Sequence, residues 1–210
     1  MASQARTSNA VVGAFVDPVY QSQAVFRTLM DSMAHPGRVY SIPSACSPPA
    51  PLSATMGAIL LTLADVDTPV WLDKALLGAP DVAGWIGFQT GAPMVDYAAD
   101  AAFALISDAA RLPALDQFGQ GSQDYPDRST TLLVAVASLS NGAGWQLSGP
   151  GIEAVEMLEV GGFSSAARAH FVSQWSANQA RFPRGVDVVL VADGAIASLP
   201  RGTRLSTEGN

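Results

Sequence analysis

The stretch Met56–Leu72, MGAILLTLADVDTPVWL, decides the fold. It has three parts: an apolar run, an acidic turn Asp65-Val66-Asp67-Thr68, and a proline-led segment Pro69-Val70-Trp71-Leu72. Ala, Met and Leu make the first part a good buried helix, with Ser53 placed as its N-cap. Pro69 stops any helix from running through, and Val70–Leu72 reads as a short buried strand.

A carboxylate in the last turn of a helix opposes the macrodipole, so Asp65 is not there for helix stability. Two readings compete for the turn. D-x-D-T after an apolar run looks like the nucleophile loop of haloacid-dehalogenase-type phosphatases, where one Asp attacks phosphorus and the next handles protons beside Mg²⁺. The other reading is a structural turn of Asp65, Asp67 and Thr68, with the two carboxylates bonding nearby backbone N–H groups. The residues favour the turn. The preceding run is helix-like rather than β-branched, the only lysine, Lys74, is too near to be that family's distant one, and no later acidic pair stands out as a metal site.

Upstream, residues 1–16 read as a loose tail, followed by Asp17-Pro18 as N-cap and first-turn proline. Val25, Phe26, Leu29, Met30 and Met33 then fall on one helical stripe. His35-Pro36-Gly37 ends that helix, Arg38–Ile42 reads as a strand, and Pro43–Pro51 as a stiff loop. Downstream, the pattern predicts a short helix around Asp81–Phe88, a strand at Phe103–Ile106 and a surface loop over Gly119–Asp127. Thr130–Leu139 is the clearest buried strand, turned by Asn141-Gly142 into an antiparallel partner beginning at Trp145–Leu147. Ser164–Ala180 reads as a helix with Ala167, Phe171 and Trp175 on one face. Asp193-Gly194, between the apolar runs Val186–Ala192 and Ala195–Leu199, is a strong hairpin signal. Helices and strands alternate, and several strands are apolar on both faces, which points to an α/β sandwich with helices on both sides of a mixed sheet.

At 210 residues the chain suffices for one domain with a full core, placed at residues 17–205 between the tail 1–16 and a second tail, 206–210. Hydrophobic residues make up 49% and charged ones only 14%, a balance that leaves surface for a partner to cover. The net charge of −7, with one lysine among eleven basic residues, argues against nucleic acid or an anionic membrane as partner. One cysteine, Cys46, allows neither an internal disulfide nor a cysteine zinc site and fits a reducing cytoplasm. No signal peptide and no membrane-length run is visible. Only His35 and His170 exist, and the lone lysine has no phosphate-binding glycines before it, so no catalytic, cofactor-binding or metal residue is assigned.

Four stretches carry a resemblance. FRTLMDSMAHPGRV, ILLTLADVDTPVWL, LLVAVASLSNGAGWQLSGPGI and FPRGVDVVLVADGAIASLPRGTRL, in that order, resemble the PhnH family, the H subunits of bacterial carbon–phosphorus lyase. The resemblance implies a three-layer αβα sandwich similar to the large domain of PLP-dependent transferases, without bound PLP. It also implies a homodimer that joins the G, I and J subunits in a core complex. That complex breaks down alkylphosphonates, at an early step displacing adenine from ATP to leave a ribose triphosphate carrying phosphonate at C1. The family gives no catalytic residue to carry over. The competing readings are a stand-alone enzyme, using Lys74 as a Schiff-base lysine or Asp65/Asp67 in phosphoryl transfer, and a small-anion binding module.

Hairpin arithmetic adds one candidate site. A two-residue Asp193-Gly194 turn makes paired residue numbers sum to 387, so Arg184 and Arg201 emerge on one face as diagonal neighbours at the open end. They are read either as a grip on an acidic partner patch or phosphate-bearing ligand, or as charges splayed into water or paired with the chain's own acids.

Overall fold

The computed structural model describes residues 12–43 and 46–207. Its frame is a mixed six-stranded sheet. The strands are β1 (Tyr40–Ser41), β2 (Val70–Leu72), β3 (Phe103–Ile106), β4 (Thr131–Ala135), β7 (Asp187–Ala192) and β8 (Ala195–Leu199), in the order β1-β8-β7-β4-β3-β2. Strands β2, β3, β4 and β7 run parallel, while β8 is antiparallel to its neighbours. A second, antiparallel sheet orders β6 (Glu156–Gly161), β5 (Ser138–Ser148) and β9 (Arg204–Thr207).

Alternate residues of the main strands enter two separate cores, as the period of a strand buried on both faces requires. Leu105, Leu133, Val189, Val191 and Ile196 face one core with helices α1 (Pro18–Ala34), α2 (Ala54–Leu63) and α4 (Pro80–Thr90). Ala104, Leu132, Val134, Val188, Leu190 and Ala197 face the other. There the covering layer is one helix, α5 (Ser165–Gln179), together with the three-stranded sheet. The fold is therefore α/β with helices against a mixed sheet, but the layer on this side is part helix and part sheet. Trp145 stacks on Phe171, and Phe171 on Trp175, at centroid distances of 5.0 and 5.9 Å, binding sheet to helix. Trp175 is fully buried and donates through Nε1 to the Thr203 carbonyl.

Helix α2 starts where Ser53 accepts from the Met56 N–H, and the chain re-enters the sheet at Val70. The turn between β7 and β8 is fastened to this helix. Gly194 takes the left-handed conformation, φ +65°, donates to Thr55 Oγ1 and accepts from the Ile42 N–H. No neighbour crowds a Cβ there, so the backbone angle alone calls for glycine.

Several expectations need correction. The predicted strand Thr130–Leu139 is two strands in two sheets: β4 ends at Ala135, and the chain bends at Val136-Ala137 into β5. Asn141-Gly142 is not a hairpin turn. It lies inside β5, where the pairing with β6 shifts register between Asn141 and Trp145. Gly144 fits this irregular stretch because a Cβ would sit 2.6 Å from the Leu158 carbonyl oxygen. The stripe on α1 divides: Val25 and Leu29 point inward, while Phe26 and Met30 are exposed. The loose tail expected over residues 1–16 does not hold for its last residues: Phe15 is buried and the Val12 carbonyl accepts from Trp85 Nε1. Residues 1–11 lie outside the described residues. At the other end β9 carries ordered chain through Thr207, and residues 208–210 again lie outside. Among the described residues no helix is long and apolar enough to cross a membrane.

Candidate functional site

The acidic turn closes on itself. Asp65 Oδ1 accepts from the Asp67 N–H at 2.9 Å, and the Thr68 hydroxyl accepts from the Asp65 N–H at 2.7 Å. That hydroxyl also has the Asp65 carbonyl and Oδ1 within donating reach, at 3.0 and 3.2 Å. The geometry is that of an Asx turn, with Asp65 as its anchor. Asp67 contributes its N–H to this network, not its carboxylate.

Six residues on, the end of β2 carries a denser polar knot. Asp73 is buried and caps α3 (Lys74–Leu77), Oδ1 accepting from the Ala75 and Leu76 N–H groups at 3.0 and 2.9 Å. Its Oδ2 accepts from the N–H and hydroxyl of Ser107 at 2.7 and 2.6 Å. One carboxylate thus ties the C-terminal ends of neighbouring parallel strands β2 and β3. Lys74 follows directly but is exposed on α3.

The hairpin β7–β8 has the register that the arithmetic gives: Ala192 pairs with Ala195, Leu190 with Ala197, and Val188 with Leu199. The ladder stops there. Arg201 turns onto Asp187, which accepts through Oδ1 from the Arg201 backbone N–H at 2.7 Å and from Nε at 3.1 Å, and through Oδ2 from an end nitrogen of the guanidinium. The Arg201 Nη1 also donates to the Pro126 carbonyl at 2.6 Å. Both side chains of the pair are largely buried. Arg184 stays exposed, in a turn in which its N–H donates to the Arg181 carbonyl. The two arginines are therefore held differently: Arg201 by its own chain and Arg184 by solvent.

The histidines are placed apart. His35 Nδ1 lies 2.9 Å from the Asp31 carbonyl and 3.2 Å from the Tyr40 hydroxyl at the end of α1. His170 is exposed on α5, lining a shallow cleft of about 130 Å³ with Asp116, Gln174 and Arg181. Cys46 is buried, donates to the Ala54 carbonyl and has its thiol pKa pushed up to about 11 by desolvation. Among the described residues, no three His, Cys, Asp or Glu side chains group closely enough to hold a metal ion.

A family model described as bacterial phosphonate metabolism protein (PhnH) matches residues 13–206. The chain belongs to the PhnH family. It is 45% identical over 196 residues to the PhnH subunit of alpha-D-ribose 1-methylphosphonate 5-triphosphate synthase from Rhizobium meliloti (strain 1021), covering 93% of this chain and 96% of that one. It is 29% identical over 193 residues to a putative C-P lyase subunit protein, HtxG, from Stutzerimonas stutzeri, covering 90% of this chain and 88% of that one. The four stretches that carry the PhnH resemblance supply much of the frame: the second half of α1, then the second half of α2 with β2, then nearly all of β4 with β5, and finally the hairpin β7–β8 with the start of β9.

Asp73 and Asp187 are the polar residues that sequence reasoning missed. Each had a signal. Asp73 directly follows a strand and precedes a helical run, an N-cap position. Asp187 lies opposite Pro200 by the same sum of 387, one residue from Arg201.

Proposed function

We propose that this chain is an accessory, non-catalytic subunit of a carbon–phosphorus lyase core complex, acting in the breakdown of alkylphosphonates. The observation that carries the reading is the PhnH family match over residues 13–206, joined by a relative 45% identical along nearly its whole length. The partners it implies are G, I and J subunits and a second copy of the chain, assembled in the cytoplasm. The finer likeness to the large domain of PLP-dependent transferases rests on the family resemblance. The reaction assigned to the assembly is displacement of adenine from ATP by phosphonate.

Where the candidate groups sit supports a role without chemistry of its own. The Asp65 carboxylate is engaged in its turn, Lys74 is exposed on a four-residue helix, and Arg201 is paired with Asp187. The turn of Asp65, Asp67 and Thr68 is structural in this reading, and Arg184 is the one of the two arginines left for a partner's acidic patch. The test is co-purification with G, I and J subunits, followed by an adenine-release assay with and without this chain. Release should need the assembled complex, and Lys74→Ala should leave it intact. Adenine release by the pure chain, or an absorbance band on adding PLP that Lys74→Ala removes, would overturn the proposal.

A further inference from the structure

The described residues expose thirteen large hydrophobic side chains, and six of them lie between Val12 and Met30. Such a concentration marks a contact surface rather than scattered exposure. At 3.6 residues per turn, Val19, Gln23, Phe26, Met30 and Ala34 form one stripe along the outward side of α1. Val19 is 73% exposed, Phe26 48% and Met30 44%. Val25 and Leu29, on the inward side, already supply the helix's contact with its own core.

Beside the stripe stand Arg27 and Asp31, both exposed, four residues apart. Neither takes part in an ion pair among the described residues. Within one helix their order, cation before anion, is the less favourable one at this spacing. Phe26 and Met30 have the same spacing of four. The two pairs are centred one residue apart, at positions 28 and 29, on adjacent strips of the same helix face.

That arrangement is self-complementary. A two-fold axis lying across the helix near residues 28 and 29 sends each position to its counterpart equally far on the other side, on the same lateral strip. We propose that the outward face of α1 receives a second copy of this chain, the two helices crossing antiparallel so that Phe26 meets Met30, and Arg27 meets Asp31, of the other copy. Gln23 then lies against Ala34, a small residue that lets the helices approach. The inference rests on the homodimer reading above and names its surface.

The test is sedimentation velocity on the full chain, with circular dichroism melts as the control for folding. The wild type should be a dimer at micromolar concentration. Arg27→Asp and Asp31→Arg each place like charges together twice about the axis and should weaken the dimer roughly tenfold. The double variant R27D/D31R restores the attraction and should recover wild-type association. Phe26→Asp should leave a folded monomer. A wild type that is monomeric at every concentration overturns the homodimer reading itself. A wild-type dimer indifferent to both single reversals and to Phe26→Asp keeps that reading but places the interface elsewhere. Single variants that weaken the dimer without rescue in the double variant overturn the antiparallel pairing.

Discussion

Asp187 and Arg201 close the open end of the hairpin β7–β8 by a forked ion pair that also fixes the backbone N–H of Arg201. The side chains keep only 13% and 15% of their surface in solvent, so each is the other's main compensation for lost hydration. Removing one partner leaves a nearly buried charge. Arg201→Gln should therefore cost about 3 kcal/mol of unfolding free energy, at the low end for breaking a buried pair because some solvent contact remains. Arg184→Gln, at an exposed position, should change stability by no more than about 0.5 kcal/mol. Urea unfolding of the two variants checks this, and equal losses would show that the ion pair is not what distinguishes them.

Asp73 holds four donors with one carboxylate. In Asp73→Ala, α3 loses its cap and both donors of Ser107 lose their acceptor. Loss of the cap costs about 1 kcal/mol, and orphaned buried donors about 1–3 more. Asp73→Asn keeps one oxygen acceptor and should fall between Ala and wild type. Urea unfolding should rank the three in that order. An alanine variant as stable as the wild type would mean that water replaces Asp73 at no cost.

How much was legible in the sequence differs between these elements for physical reasons. The hairpin β7–β8 could be read residue by residue, because a two-residue Asp-Gly turn fixes a single pairing register. The split at Val136-Ala137 could not: the apolar run from Leu132 continues through both residues, and no Gly or Pro marks the change of sheet. Strand β6 did carry a signal, with Leu158 and Val160 inward and Glu159 between them, but Glu156 and Glu159 break its apolar character and are weak strand formers. Phe26 and Met30 satisfied an apolar stripe that one chain alone does not bury, and a pattern of types cannot say which side faces the core. Asp187 and Arg201 are fourteen residues apart in sequence. Their contact depends on where the ladder stops, which the turn does not determine.

The acidic turn makes an asymmetric prediction. Asp65 supplies an acceptor to the Asp67 N–H, whereas the Asp67 side chain has no part in that network. Asp65→Ala should destabilise by about 1 kcal/mol, the worth of a local side-chain bond to backbone. Asp65→Asn should cost less, because its amide oxygen can accept the same bond. Asp67→Ala should be close to neutral. Thermal melts of the three variants decide the matter. A phosphatase activity lost in the Asp67 variant, with the melt unchanged, would instead assign the turn to phosphoryl chemistry.

Burial lifts the Cys46 thiol from 9.0 to about 11. Two consequences follow. The thiolate is the reactive form, and at pH 8 a pKa near 11 leaves about a hundredth of the thiolate that an unshifted thiol would have. Disulfide exchange with a chromogenic reagent should accordingly be at least about a hundredfold slower in the native protein than in urea. The second consequence concerns stability. The folded state holds the proton more tightly than the unfolded state, so this contribution is fully present below pH 9 and is lost as pH rises from 9 towards 11. The measurement is a comparison of two proteins: the alkaline fall in stability should be shallower in Cys46→Ala than in the wild type. The Sγ donates to the Ala54 carbonyl at the start of α2, so the variant should also be somewhat less stable at neutral pH. Rapid native labelling at pH 8, together with parallel alkaline profiles for the two proteins, would place the thiol in solvent rather than beneath α2.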